Sequence, residues 1–183
     1  TSYKCIVAQD NQDFHFGNLK LRALHTPGHT MESTSYLLFS DDNKAEAIFT
    51  GDTLFIGEVG RPDLAVNPQL TSEDLASHLY DSLRNVIMNL EDNVIVYPGH
   101  GAGSACGKNI SSQKHSTIRE QKQYNYALQP MSKQDFIKMV LAGISKAPQY
   151  FGHDVAMNKE GYQPVKKVIQ NSLNELSYET YLS

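Results

Sequence analysis

Between residues 71 and 97 the apolar pattern changes period twice, and this limits the possible folds more than any other feature. Before that stretch the chain reads as strands. Leu19-Lys20-Leu21-Arg22-Ala23-Leu24 alternates apolar and polar side chains, the period of a half-buried strand. Residues 35–39 and 45–49 are two further candidates, separated by the turn-forming cluster Asp41-Asp42-Asn43. The apolar-rich run 3–8 opens the series. From Thr71 onward Leu75, Leu79, Leu83, Val86, Ile87 and Leu90 recur at steps of three and four, the stripe of an amphipathic helix. Thr71 and Asp74 resemble a capping box with Asp in place of Glu. Residues 93–97 return to strand, and 98–109 form a Gly-rich loop. Beyond about Ser111 only helices are expected. One is polar over 112–124, and a second is capped by Ser132 with Asp135 and carries Phe136, Met139, Val140 and Ile144. A third starts near Pro164 with Val165, Val168, Ile169 and Leu173 on one face. Strands, a helix, a strand and more helices describe a layered α/β or α+β domain.

Composition narrows the function. At 183 residues the chain suits one domain with its own core, with 40% apolar and 20% charged residues. A formal net charge of -4 and the lack of any basic run exclude a phosphate-tracking nucleic-acid role. No apolar stretch approaches the ~20 residues that span a bilayer. Cys5 and Cys106 lie far apart and form no disulfide framework, so reduced thiols and a cytoplasmic setting are expected.

Three segments share one design. His29 ends the turn in His25-Thr26-Pro27-Gly28-His29, Asp52 follows Phe49-Thr50-Gly51, and His100 follows Val96-Tyr97-Pro98-Gly99. In each, an apolar strand-like stretch runs into a turn that ends on a possible metal donor. Gly28, Gly51 and Gly99 immediately precede the donors and allow tight turns. Two imidazoles and a carboxylate suit zinc or non-haem iron. Taken singly, a His in a loop or an Asp after Gly has an ordinary structural use; three in one repeated context point to a metal site. His15, in Asp13-Phe14-His15-Phe16-Gly17, is not expected to be a ligand.

The wording of these segments resembles the metallo-β-lactamase superfamily, whose second, third and fourth motifs match His25-Thr26-Pro27-Gly28-His29-Thr30, Thr50-Gly51-Asp52-Thr53-Leu54-Phe55 and Tyr97-Pro98-Gly99-His100-Gly101. Gly60-Arg61-Pro62-Asp63-Leu64 narrows the resemblance to the branch of glyoxalase II and the persulfide dioxygenases. Gly101-Ala102-Gly103-Ser104-Ala105-Cys106-Gly107-Lys108-Asn109 is similar to persulfide dioxygenase-like enzymes fused to rhodanese domains. The resemblance implies a partial αββα sandwich, the C-terminal two-thirds of the domain, over residues 1–155, with a helical tail or linker at 156–183. It also implies that His29 and Asp52 ligate the metal and that His100 ligates a second metal or stands beside the first. Arg61 is then a catalytic candidate whose guanidinium can hold a carboxylate or sulfinate oxygen. The alternative for Arg61 is an ion pair with Asp63 or Glu58. Cys106 matches a cysteine at the pocket mouth that can meet a persulfide; a buried structural thiol is the alternative.

The superfamily's first motif, His-x-His-x-Asp-His, does not occur in this sequence. The chain is therefore expected to lack part of the sandwich and the first ligands, to expose apolar strand faces and to associate as a homo-oligomer. Three functions are carried forward. The first is an Fe(II)-dependent dioxygenase oxidising a low-molecular-weight thiol persulfide to sulfite, with a rhodanese domain downstream in the parent protein. The second is a dinuclear Zn(II) thioester hydrolase of the glyoxalase II type. The third is a chain that is catalytically inactive and holds no catalytic metal.

Overall fold

The computed structural model describes residues 4–145, 149–161 and 165–172. The chain divides into two compact units, Ala8–Ala147 and a smaller one made of residues 1–7 with 148–183.

The larger unit is built on a six-stranded mixed sheet in the order β1-β2-β3-β4-β7-β8. Strands β1 (Asp13–Phe16), β2 (Leu19–His25), β3 (Thr34–Phe39) and β4 (Ala45–Gly51) form an antiparallel meander. The Asp41-Asp42-Asn43 turn joins β3 to β4 as the sequence suggests, with Asn43 in the left-handed region at φ 60°. A two-stranded hairpin, β5 (Leu54–Phe55) with β6 (Glu58–Val59), follows β4 directly. Helix α1 (Ser72–Asn85) then carries the chain over to β7 (Ile95–Pro98), which lies parallel to β4 in the register Ile48 opposite Val96 and Phe49 opposite Tyr97. A parallel pair requires such a crossover. The capping box at the start of α1 forms, with the Asp74 amide donating to Thr71 Oγ1 and the Thr71 amide to Asp74 Oδ2.

The sheet has two unlike faces. Leu24, Leu37, Ile48 and Val96 pack with Leu79, Leu83 and Ile87 of the α1 region and with Ile118, Phe136 and Val140 in one core. On the opposite face Tyr36, Phe49 and Tyr97 stand in register across β3, β4 and β7 and are exposed, with Phe49 and Tyr97 stacked at 5.6 Å.

Several expectations need correction. Residues 4–8 form no strand, although apolar Ile6 and Val7 gave the run that look; both are exposed. The helix expected over 112–124 is only α2 (Ile118–Tyr124), because β8 (Ser116–Thr117) first pairs with β7 and Thr117 then caps the helix. Helix α3 (Lys133–Leu141) starts at its Ser132 cap but stops short of Ile144, where Gly143 takes φ 70°. The β5–β6 hairpin was not anticipated.

In the smaller unit α4 (Phe151–Glu160) ends at Gly161 with φ 82°, and α5 (Val165–Ser172) carries Val165 and Ile169. Tyr3, Pro164 and Leu173, which figured in the expected strand and third helix, lie outside the described residues.

Candidate metal centre

The three donor-bearing turns converge at one rim of the sheet. Asp52 lies between the two histidines. Its Oδ2 is 3.3 Å from His29 Nε2 and its Oδ1 is 3.3 Å from His100 Nε2. His29 is buried, Asp52 half-buried and His100 exposed.

Each turn is fixed by its own local chemistry. After β2 the chain folds back with the Thr26 amide donating to the Ser33 carbonyl at 2.9 Å. Ser82 Oγ of α1 donates to the Pro27 carbonyl at 2.7 Å, so the helix grips the His29 turn. Gly28 permits that contact: with φ 147°, a Cβ there would lie 2.4 Å from Leu79 Cα. Below the turns, Thr26 Oγ1 bonds both Ser35 Oγ at 3.0 Å and Thr53 Oγ1 at 2.9 Å, tying the His29 and Asp52 turns together through buried hydroxyls. The Gly99 amide donates to the Gly51 carbonyl at 2.8 Å, which joins the Asp52 and His100 turns. A Cβ on Gly99 would sit 2.7 Å from Asp52 Oδ1. The Phe55 ring meets the His100 imidazole edge-on at 6.0 Å.

The donors fit a metal. His29 Nδ1 lies 2.9 Å from the Arg61 carbonyl, which can only accept, so Nδ1 carries the proton. That leaves a lone pair on Nε2, the atom facing Asp52. A backbone acceptor that fixes the tautomer of a liganding His is the usual outer support of such a site.

Arg61 is buried and its donors are committed. Nε and Nη2 form a two-point pair with Asp63 at 2.7 and 2.8 Å, Nη1 donates to the Ala105 carbonyl and Nη2 to the Ser145 carbonyl. The Asp63 bond, opposed by burial, holds its pKa above the already high guanidinium value. The structure thus places Arg61 as a brace between the site hairpin, the Cys106 loop and the turn after α3. Its backbone amide also donates to the Cys106 carbonyl at 3.0 Å. A cavity of about 180 Å³ lies beside this brace, lined by Arg61, Ala105, Lys108, Gly143 and Ser145 among others.

The structure brings Cys106 to the centre. Its Sγ, an Asp52 carboxylate oxygen and a His100 ring nitrogen all lie within 4.8 Å of one another. Burial, with smaller contributions from Asp52, pushes the thiol pKa up against the lowering effect of the Ser104 hydrogen bond.

The supporting roles of four residues escaped the sequence reading, which weighed Glu58 only as an ion-pair partner for Arg61. Glu58 is buried; it accepts from Tyr126 Oη at 2.5 Å and from the Asn109 amide at 3.1 Å, which anchors the end of the Cys106 loop. Burial first, then the Glu58 contact, raises the Tyr126 pKa. Buried Asn125 donates to the carbonyls of Phe55 and Glu58, and Gln121 accepts from the Gly57 amide, so both pin the β5–β6 hairpin. Lone polar residues in an unexpected hairpin and a short helix leave no periodic trace in sequence.

No profile of a known family matches the chain. It is 38% identical over 94 residues to the hydroxyacylglutathione hydrolase of Dictyostelium discoideum, an alignment covering 50% of this chain and 32% of that protein. A metallo-β-lactamase structure from Staphylococcus aureus superposes with a TM-score of 0.76 at 36% identity, over 86% of this chain and 46% of the other. ETHE1 from Myxococcus xanthus superposes with a TM-score of 0.67 at 30% identity, over 84% of this chain and 59% of that one. The chain spans about a third of the length of the D. discoideum protein and of a probable hydroxyacylglutathione hydrolase from Schizosaccharomyces pombe.

Proposed function

This chain belongs to the metallo-β-lactamase superfamily, a family of metal-dependent enzymes, and on that premise we propose that the whole protein is an Fe(II)-dependent persulfide dioxygenase. Its substrate would be a low-molecular-weight thiol persulfide, oxidised at the terminal sulfur to sulfite. The observation that carries this reading is the position of Cys106, on a loop whose wording is similar to that of persulfide dioxygenase-like enzymes, beside Asp52 and His100. The structural likeness to ETHE1 from M. xanthus supports it.

His29, through Nε2, and Asp52 are the residues of this chain that would hold the metal. Iron bound there would supply an open-sided centre at which dioxygen and a sulfur can meet. The chain's own residues orient the reactants. The Arg61 carbonyl fixes the His29 ring, and the Arg61 guanidinium holds the loop that presents Cys106. His100 stands across Asp52, where it can donate or accept a proton at Nε2. Cys106 is half-buried at the sulfur end of the site.

The Glu58–Asn109 anchor and the Arg61 brace hold the Cys106 loop on this rim through the chain's own hydrogen bonds, which favours orientation of the reactants. Metal analysis of the intact protein with oxygen uptake on glutathione persulfide tests the proposal. Stoichiometric iron with uptake that yields sulfite is the expected result; zinc with no uptake refutes it. Hydrolysis of S-lactoylglutathione by the zinc protein would instead establish the thioesterase reading, which the relationship to hydroxyacylglutathione hydrolases favours.

A further inference from the structure

We infer that the face of the six-stranded sheet turned away from α1 is a docking surface for a second copy of this chain. Its side chains form two rows across the strands. Ala23, Tyr36, Phe49 and Tyr97 stand side by side on β2, β3, β4 and β7. Phe14, Leu21, Leu38, Ala47 and Ile95 make the next row. None of these side chains carries a charge. Asp13 and Arg22 alternate to the other face, where they pair with each other. Leu37, Ile48 and Val96 fill the core side of the same strands, so β3, β4 and β7 are apolar on both sides. That is the pattern of strands covered on both faces.

The area suits a dimer. Tyr36, Phe49 and Tyr97 are 36%, 41% and 39% exposed, so each ring keeps much of its surface in water. A strand residue covers about 4.8 by 3.3 Å of sheet plane, which gives this face on the order of 450 Å². Two stacked copies hide it twice, and ring relief brings the total to about 1,000 Å², the threshold of a specific interface. The match is also chemical. An uncharged face does not repel its own image, and two equally twisted sheets stack at about 30° with their side chains interleaved. Small Ala47 lies between Leu38 and Ile95 and two residues from Phe49, a low point that can receive a partner's ring.

Association braces the rim from below. Phe49 and Tyr97 lie on β4 and β7, and the turns of Asp52 and His100 leave the ends of these two strands. A copy packed on the strands limits the movement of those ends. Because it binds the folded chain alone, it also makes stability rise with protein concentration. No metal and no turnover enter this association, so it stands apart from the dioxygenase reading.

Sedimentation velocity and light scattering of the 183-residue chain over a dilution series test this. A species of twice 20.4 kDa that dissociates on dilution is expected, with a thermal midpoint that rises with concentration. Phe49→Lys should weaken the dimer about 100-fold or more, because a central aromatic is worth about 30-fold and each dimer carries the change twice. Tyr124→Lys, at a 72% exposed aromatic on α2, should leave the dimer unchanged. Circular dichroism shows whether each variant is folded. Hydroxyl-radical footprinting of the wild type needs no substitution: Tyr36 and Tyr97 should be protected at high concentration, and Tyr124 should not. A wild-type monomer at every concentration overturns the inference. So does a dimer that keeps its affinity in folded Phe49→Lys, or one that leaves Tyr36 and Tyr97 unprotected.

Discussion

Gly60 is the position where one added methyl group should damage the metal centre most. Its ideal Cβ would lie 1.8 Å from the Asp52 carbonyl oxygen, 3.0 Å from the Asp52 carbonyl carbon and 3.2 Å from His29 Cβ. No positive φ is involved, so the penalty of Gly60→Ala comes from contact alone. Ordinary contact begins near 3.4 Å, which leaves about 1.6 Å for two backbone segments to give up. Both belong to the site, and neither is the end of a flexible side chain. Overpacking of this kind costs about 1–3 kcal/mol. The larger effect is on the donors, because metal bonds tolerate only about 0.2 Å of misplacement. Metal affinity should therefore fall on the order of 100-fold, the upper range for disturbed outer support. Gly57→Ala is the matched control. Its φ is 77° with open space around the Cβ, so it should cost about 1–2 kcal/mol of backbone strain and leave metal affinity unchanged. Calorimetric titration with Zn(II) and thermal unfolding of both variants give the two numbers. Equal affinity in Gly60→Ala and wild type would refute the idea that the Asp52 turn is held by close backbone approach.

Three other outcomes are expected. Leu79→Ala, in a fully buried position under the His29 turn, should lose about 2–5 kcal/mol in denaturant unfolding; a loss below 1 kcal/mol would show that the α1 contact is loose. Tyr126→Phe removes a donor to buried Glu58 and should cost about 1–3 kcal/mol, with faster proteolysis in the 101–109 loop; an unchanged cleavage rate would show that Glu58 holds the loop without it. Burial raises the Cys106 pKa in the folded, metal-free chain. The folded state then keeps its thiol proton to higher pH than the unfolded state, so stability falls as pH rises from the ordinary thiol range through the folded value. Iodoacetamide labelling of Cys5→Ser against pH should show a midpoint above that of the denatured protein, and a midpoint at or below it contradicts the shift.

The parts legible in the sequence were those with a period or a fixed turn chemistry. The α1 stripe, the Thr71 and Ser132 caps and the Asp41-Asp42-Asn43 turn each rest on local rules, and each formed. His29, Asp52 and His100 were legible because the same turn design recurs, and the fold brings them to one rim. Residues 112–117 misled because a two-residue strand in polar sequence carries no alternation to detect. The roles of Arg61 and Glu58 were hidden for a different reason. Which of Asp63 and Glu58 pairs with the guanidinium depends on the β5–β6 hairpin, a tertiary feature. Cys106 was placed near the site through its loop wording, but its distance from Asp52 and His100 could only come from the fold.

The parallel pairing of β4 and β7 also has a consequence for the order of events during synthesis. Asp52 and His100 leave their strands at the same end only because α1 carries the chain back between them. Until that crossover has closed, His29 and Asp52 have no partner across the rim. Long-range parallel pairing is among the slower steps of folding. On the ribosome, the meeting of Asp52 with His100 therefore has to wait for β7 to emerge and dock beside β4. The emerging chain passes its early, exposed stage with the rim unassembled, and the three donor-type side chains come together only when the crossover is complete.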